Sequence, residues 1–138
     1  MFANCQLGGV HNAAPDVCLT PIPSPAGPIP TPIPYPNIAM GPTAVPPSTA
    51  LKVLLTAGPA HNMMTTVPMS NGDNAGVNMG VASGMVMGPT RHMMGSTNVL
   101  YGGSPATKMT SPTGQNGMSL NVPGMTIAPA QVKVMLMR

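Results

Sequence analysis

Five side chains of this 138-residue chain are potential ligands for a soft or borderline metal ion. Thiolate sulfur and imidazole nitrogen are donors that zinc prefers. The spacing of these residues matches no zinc-binding signature, so a site forms only if folding brings distant residues together. A buried cysteine and hydrogen-bonded turn histidines are the alternative. The five residues are Cys5, His11, Cys18, His61 and His92.

Two segments place methionine beside histidine, His61-Asn62-Met63-Met64 and His92-Met93-Met94. Imidazole together with thioether suits Cu(I), so copper handling is one interpretation. In a strand, however, adjacent side chains point to opposite faces of the sheet, so only one methionine of each adjacent pair lies on a given face. Packing is therefore the simpler role for these methionines.

The residues needed for catalysis are scarce. Asp16 and Asp73 are the only carboxylate side chains, no serine lies in a nucleophile-elbow motif, and neither cysteine has a base at a known spacing. Asp73 follows Asn71-Gly72, where a turn-stabilising role is usual. We predict that the protein is not an enzyme.

The composition favours a folded chain with an unusual surface. Hydrophobic residues make up 43% and charged residues 5% of the sequence, whereas disordered chains combine low hydrophobicity with high net charge. So few charges indicate that another molecule covers much of the surface. The net charge of +3 comes from scattered basic residues, and the chain has no tryptophan and one phenylalanine, so we expect no nucleic-acid binding.

Neither a membrane span nor a signal peptide is expected. No apolar run approaches 18 residues, and residues 1–16 lack the basic and apolar regions of an export signal. Cys5 and Cys18 would be free thiols in the cytoplasm or could form one disulfide after export.

A repeat of 46 residues organises the second half of the chain. Val53-Leu54, Pro59-Ala60 and Met63 return as Val99-Leu100, Pro105-Ala106 and Met109, and each copy then reaches an Asn-Gly turn. Each copy predicts a strand, a tight turn and a second strand. Such units cannot bury their apolar faces alone, so they must pack around a shared axis.

The other patterns also predict short strands, with glycine or proline in every gap. Residues 131–137 alternate most strictly, with Val132, Val134 and Leu136 on one face. Residues 21–36 carry prolines so densely that helix and central strand are excluded, and an extended polyproline-like arm is expected, with a flexible linker as the alternative. The predicted strands are 38–40, 53–55, 63–69, 77–81, 85–87, 98–101, 107–111 and 131–137.

The fold class predicted from these elements is all-β, a small barrel, prism or sandwich. We expect one domain over residues 1–138, with an N-terminal part containing the proline-rich arm over 1–50 and the repeated strand-turn-strand units over 51–138.

Seven segments together resemble the PAAR-like family, the tip proteins of contractile injection machines. The positions of the Pro-Ala-Ala-Arg motif hold Pro59-Ala60-His61-Asn62 and Pro105-Ala106-Thr107-Lys108, so the chain is similar to a divergent branch. The segments are residues 1–4, 15–21, 34–42, 59–62, 71–76, 80–84 and 88–92.

The resemblance implies a small cone of short β-hairpins with pseudo-threefold symmetry. Its base would cap a trimeric VgrG-type spike of a type VI secretion or related system, one copy per trimer, and aid membrane puncture and effector delivery. The protein would stay in the bacterial cytoplasm until firing and then leave on the spike, without stable membrane insertion. The alternatives are an adaptor that docks a separately encoded effector through the proline arm, and a small metal-binding structural protein.

The resemblance also implies a metal site. Related tip domains hold zinc near the apex through three histidines and one cysteine, yet the corresponding loops here, residues 69–76 and 111–117, contain neither residue type. Cys18 and His61 lie within the matching motifs and are the expected ligands, with His92 next, for one zinc ion at the tip.

Overall fold

The computed structural model describes residues 1–137 and is built almost entirely of antiparallel β-structure, which confirms the all-β prediction. Two short 3-10 helices, Gly41–Thr43 and Pro46–Ser48, interrupt it. Within residues 1–137, no helix combines the length and hydropathy needed to cross a membrane. The strands are β1 Val10–Ile22, β2 Ile29–Met40, β3 Ala50–Leu55, β4 Gly58–Ala60, β5 Thr66–Val67, β6 Thr90–His92, β7 Leu100–Tyr101, β8 Ser104–Pro105, β9 Pro112–Gln115 and β10 Val122–Ala128.

Six strands form one sheet in the order β2-β1-β10-β9-β6-β5. The proline-rich segment begins at the end of β1, turns over residues 23–28 and continues as the first part of β2, which lies at the edge of this sheet and pairs with β1. Its prolines recur at every second position from Pro30 to Pro36, so the missing N–H groups all fall on one side of the strand. The residues between these prolines have N–H groups, which are available for hydrogen bonds to β1. The arm is therefore extended, as expected, but it is half of a hydrogen-bonded hairpin and not a free polyproline-like chain.

The two copies of the repeat form matching hairpins, β3-β4 and β7-β8. Leu54 pairs with Pro59 in the first, and Leu100 pairs with Pro105 in the second. Both two-residue turns have positive φ at both central residues, 50° and 73° at Thr56 and Ala57 and 63° and 84° in the second turn. These values are those of a type I′ turn, which suits the twist of paired strands. The predicted strand-turn-strand unit is confirmed.

A third copy is assembled from the two ends of the described chain. Phe2 pairs with Met135, and the Ala3 amide donates to the Val134 carbonyl at 3.0 Å. The second hairpin has the equivalent bond at 2.9 Å, from Ala106 to Val99. Residues 134–136 thus repeat Val99-Leu100-Tyr101. The predicted alternation holds over residues 134–136 but not at Val132, which is 67% exposed, and the segment makes an isolated bridge and not the regular strand expected over 131–137.

A closed circle of backbone hydrogen bonds joins the three copies. The Asn4 amide donates to the Thr107 carbonyl at 3.0 Å, Thr107 donates to His61 at 3.4 Å, and His61 donates back to Asn4 at 3.0 Å. The same pattern of bonds is found two residues away from each member of the circle. The Gln6 amide donates to the Pro59 carbonyl, and the equivalent amides of the other two copies donate in the same way, at 2.8–2.9 Å. The backbone therefore has a pseudo-threefold axis.

The core is built from equivalent positions around this axis. Ala3, Ala60 and Ala106 are fully buried where the three copies meet, because only a small side chain fits between backbones so close together. Outside them lies a second set of buried side chains, one from each copy. These are Leu55, Tyr101 and Leu136.

Some predicted strands are wrong. Residues 77–81 and 85–87 form turns held by local bonds, such as the Gly80 amide to the Met85 carbonyl at 2.8 Å, and 107–111 contains a bridge and a turn before β9 begins. Strands β1, β6 and β10 were not expected, since proline or glycine interrupts β1 and β10 and β6 has three residues. The single domain and its division at residue 50 stay predictions.

Leu136→Ala should lower the free energy of unfolding by about 2–4 kcal/mol, because it removes a buried side chain from the third copy. Met135→Ala, at the exposed neighbouring position, is the control and should change it by less than about 0.5 kcal/mol. Chemical denaturation measures both. Equal effects would contradict the assignment of residues 134–136 to the core.

Candidate functional site

The structure divides the potential metal ligands between two buried groups. His11, His61 and His92 each offer one ligand atom within 4.8 Å of the others, and Asp16, Cys18 and Asp73 do the same elsewhere. The predicted set of Cys18, His61 and His92 is therefore not one group. The physical reason is that Cys18 lies farther along β1, beside the Asn-Gly turns, whereas His61 belongs to the circle of backbone bonds.

The histidine group lies where three parts of the fold meet. His11 comes from β1, His92 ends β6, and His61 comes from the backbone circle. The rings of His11 and His92 meet edge to face with centroids 5.1 Å apart, and those of His61 and His92 are 6.3 Å apart. All three side chains are buried.

Each of these rings carries a nitrogen with nothing to bond to. His11 Nδ1 lies 2.9 Å from Thr126 Oγ1, and His61 Nε2 lies 3.2 Å from Gln6 Oε1. The buried nitrogens without a hydrogen-bond partner among residues 1–137 are His11 Nε2, His61 Nδ1 and His92 Nδ1. A buried polar atom without a partner costs about 1–3 kcal/mol. Three of the buried side-chain atoms without partners among residues 1–137 thus belong to this one group.

Burial keeps the three imidazoles neutral. It lowers the pKa of His11 to about 4, and burial with the nearby His11 lowers the pKa of His61 to about 4 as well. The pKa of His92 is lowered well below its usual value, by burial first and then by the other two histidines. Neutral imidazole is the form that binds metal ions, so these residues fit a transition metal.

The cysteine group is a hydrogen-bonded network in which Asp16 is the hub. Asn37 Nδ2 donates to Asp16 Oδ2 at 2.7 Å, Asn116 Nδ2 approaches Oδ1 at 3.4 Å, and Asn121 Nδ2 also donates to Oδ1. The Cys18 thiol donates to Asp73 Oδ2 at 3.4 Å. One carboxylate thus ties together side chains from three separate segments.

These contacts do not fit a zinc ion bound by Cys18. In the metal-free protein, burial, with the two carboxylates next, raises the pKa of Cys18 to about 12, so the thiol holds its proton there. Burial also raises the pKa of Asp16, against the hydrogen bonds that lower it. Asn116 Nδ2 lies 3.4 Å from both Asp16 Oδ1 and the Cys18 sulfur, which directs N–H groups and not lone pairs into the space between them. The network suits a rigid junction of turns.

The Asn-Gly turns lie against this network. Gly72 and Gly117 have φ of 135° and 136°, which side chains other than hydrogen rarely tolerate. A Cβ on Gly72 would collide with the Pro36 carbonyl oxygen, and one on Gly117 would lie 2.7 Å from Ser83 Cβ. The two turns are therefore packed as tightly as their sequence predicts.

A third feature is a set of exposed apolar residues arranged around the pseudo-threefold axis. Leu54, Leu100 and Met135 hold equivalent positions in the three copies and are 61%, 58% and 54% exposed. We call these three residues the matched apolar set. Exposed large side chains at three equivalent positions are suited to contact with a partner.

His11 and the Asp16 network are the residues that sequence reasoning missed. His11 was among the five potential ligands, but it stands in no motif and its only signal is its residue type. Asp16 lies in a matching segment, yet a carboxylate hub made from three distant asparagines leaves no local pattern.

Asp16→Ala should destabilise the protein by about 3 kcal/mol or more, because Asn37, Asn116 and Asn121 lose a buried acceptor. Asn74→Ala removes one exposed bond to the Gly72 amide and should cost less than about 1 kcal/mol. Thermal and urea unfolding compare the two. A loss from Asp16→Ala no larger than from the control would refute the hub.

The metal-free protein should lose stability as the pH falls from about 6.5 to about 4. The unfolded histidines take up protons in this range while the folded ones stay neutral, so the unfolded state binds more protons and stability rises with pH. The effect is on the order of 3 kcal/mol for each of His11 and His61. Asp16 has the opposite sign because its pKa is raised, but three histidines outweigh it.

Urea titrations at pH 7 and pH 4.5, in the presence of a chelator, measure this dependence. His11→Gln should reduce it while keeping the protein folded. A free energy of unfolding that stays flat or rises toward pH 4.5 would contradict the burial of neutral imidazoles.

One family model matches the chain, that of the toxin PAAR-like domain, over residues 9–124. Comparison with the curated proteins and with solved structures gave no significant match. The match spans most of the chain and includes His11, Cys18, both Asn-Gly turns and both hairpins of the repeat. PAAR-like domains are structural spike or adaptor domains of type VI secretion and are associated with VgrG spikes. The chain therefore belongs to the toxin PAAR-like domain family.

Proposed function

We propose that this protein is the non-enzymatic tip of a trimeric VgrG-type spike in a type VI secretion or related contractile injection system. It caps the blunt end of the spike as a small cone, and the force of the contracting machine passes through it to the target membrane. The observation that carries this proposal is the closed circle of backbone bonds among three equivalent copies within one chain.

A single chain has to solve a symmetry problem to cap a trimer. A surface without internal symmetry can match one subunit of a threefold partner and leaves the other two uncovered. Three equivalent copies, two hairpins and the paired chain ends, supply one contact surface for each subunit. The matched apolar set gives each surface an exposed hydrophobic residue, and this supports a ratio of one copy per trimer.

The hairpins also suit contact through backbone. Among the described residues, β3 is paired only with β4, and β7 only with β8. Their outer edges keep free N–H and C=O groups that can continue a partner's β-structure by strand addition. A surface poor in charge fits a protein that spends its working life against a partner.

A spike tip also needs a point that does not deform under force. The Asp16 network and the Asn-Gly turns support this stiffness. Force is transmitted without loss only if the loops of the point do not rearrange, and the many hydrogen bonds of this buried network oppose rearrangement. No residue needs a catalytic role in this mechanism. The protein would wait in the bacterial cytoplasm and leave on the spike when the machine fires.

The zinc ion implied near the tip is not carried over to Cys18, whose surroundings do not fit it. A structural metal ion remains part of the proposal at the histidine group, where it would hold β1, β6 and the backbone circle together.

A second candidate function is that of an adaptor for a separately encoded effector. The observation that favours it is the end of the β1-β2 hairpin, where Ile22 and Ile29 are exposed beside an edge strand. Cargo bound there would be carried with the tip. The two functions are compatible, because they use different surfaces of the chain.

Replacing the matched apolar set by glutamate, in the triple variant Leu54→Glu, Leu100→Glu and Met135→Glu, should weaken spike binding at least about 100-fold, which is about 2.7 kcal/mol. The reason is that each substitution places a charge in an apolar contact. Titration calorimetry with the purified trimeric spike protein measures affinity and stoichiometry together.

The matched control is Met69→Glu, Val77→Glu and Val81→Glu, which adds the same charge at other exposed apolar positions and should leave the affinity within about threefold. The expected ratio is one chain per trimer for the native protein. A ratio of three chains per trimer, or a control variant as weak as the test variant, would refute the proposal.

A further inference from the structure

We infer that His11, His61 and His92 form an interior metal site that binds one zinc ion through imidazole alone. This site differs from the three histidines and one cysteine that the resemblance implies, because it uses His11 and excludes Cys18. It rests on the arrangement of these three side chains, and it deepens the proposed function only by naming where the structural metal is held.

The first argument is the direction of the free nitrogens. His61 Nε2 faces the amide oxygen of Gln6 at 3.2 Å, and an oxygen of this kind only accepts, so Nε2 carries the proton. Nδ1 is then left as a lone pair, buried and without a partner among the described residues. A lone pair in that position lacks a donor and is suited to a cation.

His11 has the same arrangement with its nitrogens exchanged when its Nδ1 carries the proton and donates to the Thr126 hydroxyl, which can accept as well as donate. Its Nδ1 lies 2.9 Å from the Thr126 hydroxyl, and its Nε2 is the buried atom without a partner. A histidine ligand commonly donates its second N–H to an oxygen, which fixes the tautomer and the ring orientation. Thr126 and Gln6 are in the right places for that role.

The second argument is distance. The ligand atoms lie within 4.8 Å of one another, and nitrogens bound tetrahedrally to zinc at about 2.0–2.1 Å are about 3.3 Å apart. His11 and His61 are each held at one nitrogen by Thr126 and Gln6, and small rotations of the three rings close this difference. Three imidazoles leave one position of a tetrahedral ion for a small ligand such as water.

The third argument is that the cysteine group does not compete. Its Asp16 carboxylate accepts three asparagine N–H groups, its Cys18 thiol donates to Asp73 Oδ2, and of the three ligand residues only Asp73 has a buried side-chain atom without a partner in residues 1–137. The histidine group offers three buried nitrogens without hydrogen-bond partners there. Zinc therefore enters the histidine group.

The test uses the full chain, stripped with a chelator and titrated with ZnCl₂ and separately with CoCl₂. One equivalent of zinc should bind and raise the thermal midpoint. Cobalt should give visible absorption bands of a tetrahedral ion without the near-ultraviolet band of a thiolate ligand. A cobalt thiolate band, or less than a tenth of an equivalent of zinc after dialysis, would overturn the inference.

Variants separate the two groups. His11→Gln and His92→Gln should each reduce zinc affinity at least 100-fold, and Cys18→Ser, the control, should leave affinity and cobalt spectrum unchanged. Circular dichroism identifies any variant that fails to fold, in which case the native cobalt spectrum decides. Loss of zinc in Cys18→Ser with retention in His11→Gln would refute the site.

Spike binding is measured on the same stripped and loaded samples. A chain that caps the spike but binds no metal would refute this inference and leave the proposed function standing. A chain that binds zinc through the histidines but not the spike would do the reverse.

Discussion

The rest of the structure depends on one constraint, the cyclic hydrogen bonding of Asn4, His61 and Thr107. Three backbone segments can donate to one another in a circle only if they meet at equivalent angles around an axis, and they can approach so closely only with alanine beside it. The buried set of Leu55, Tyr101 and Leu136 and the exposed matched apolar set follow from this geometry. The symmetry that a trimeric partner requires is therefore a property of the backbone.

The same circle explains the contrast between the two buried polar groups. Near the Asn-Gly turns, Asp16 meets nearly all the N–H donors around it, and the result is a satisfied junction. Beside the circle, His61 is held by its own backbone while His11 and His92 arrive from two strands of the sheet, and each of the three rings has a buried nitrogen without a hydrogen-bond partner among residues 1–137. One group is therefore mostly hydrogen-bonded, and the other leaves three nitrogens without partners among residues 1–137, which supports the inferred metal site.

The sequence predicted the parts of this fold that are local. Val53-Leu54 and Val99-Leu100 predicted two hairpins, and Asn71-Gly72 and Asn116-Gly117 predicted two turns, because turn chemistry and alternation act between near neighbours. The third copy could not be predicted, since Phe2 and Met135 are far apart in the chain and each half alone lacks a partner. Strand β2 was not predicted because of its prolines, although their spacing removes N–H groups from one side of the strand only. His11 could be assigned to a ligand group only from the structure, in which β1 brings it close to His92.

Amide hydrogen exchange measured by NMR tests the central claim most directly, because it reports the opening of single backbone bonds. If the three copies close into one circle, the amides of Asn4, His61 and Thr107 should exchange with the same protection, equal to the free energy of global unfolding. Protection of His61 and Thr107 with rapid exchange at Asn4 would mean that the third copy is open, and it would contradict the account.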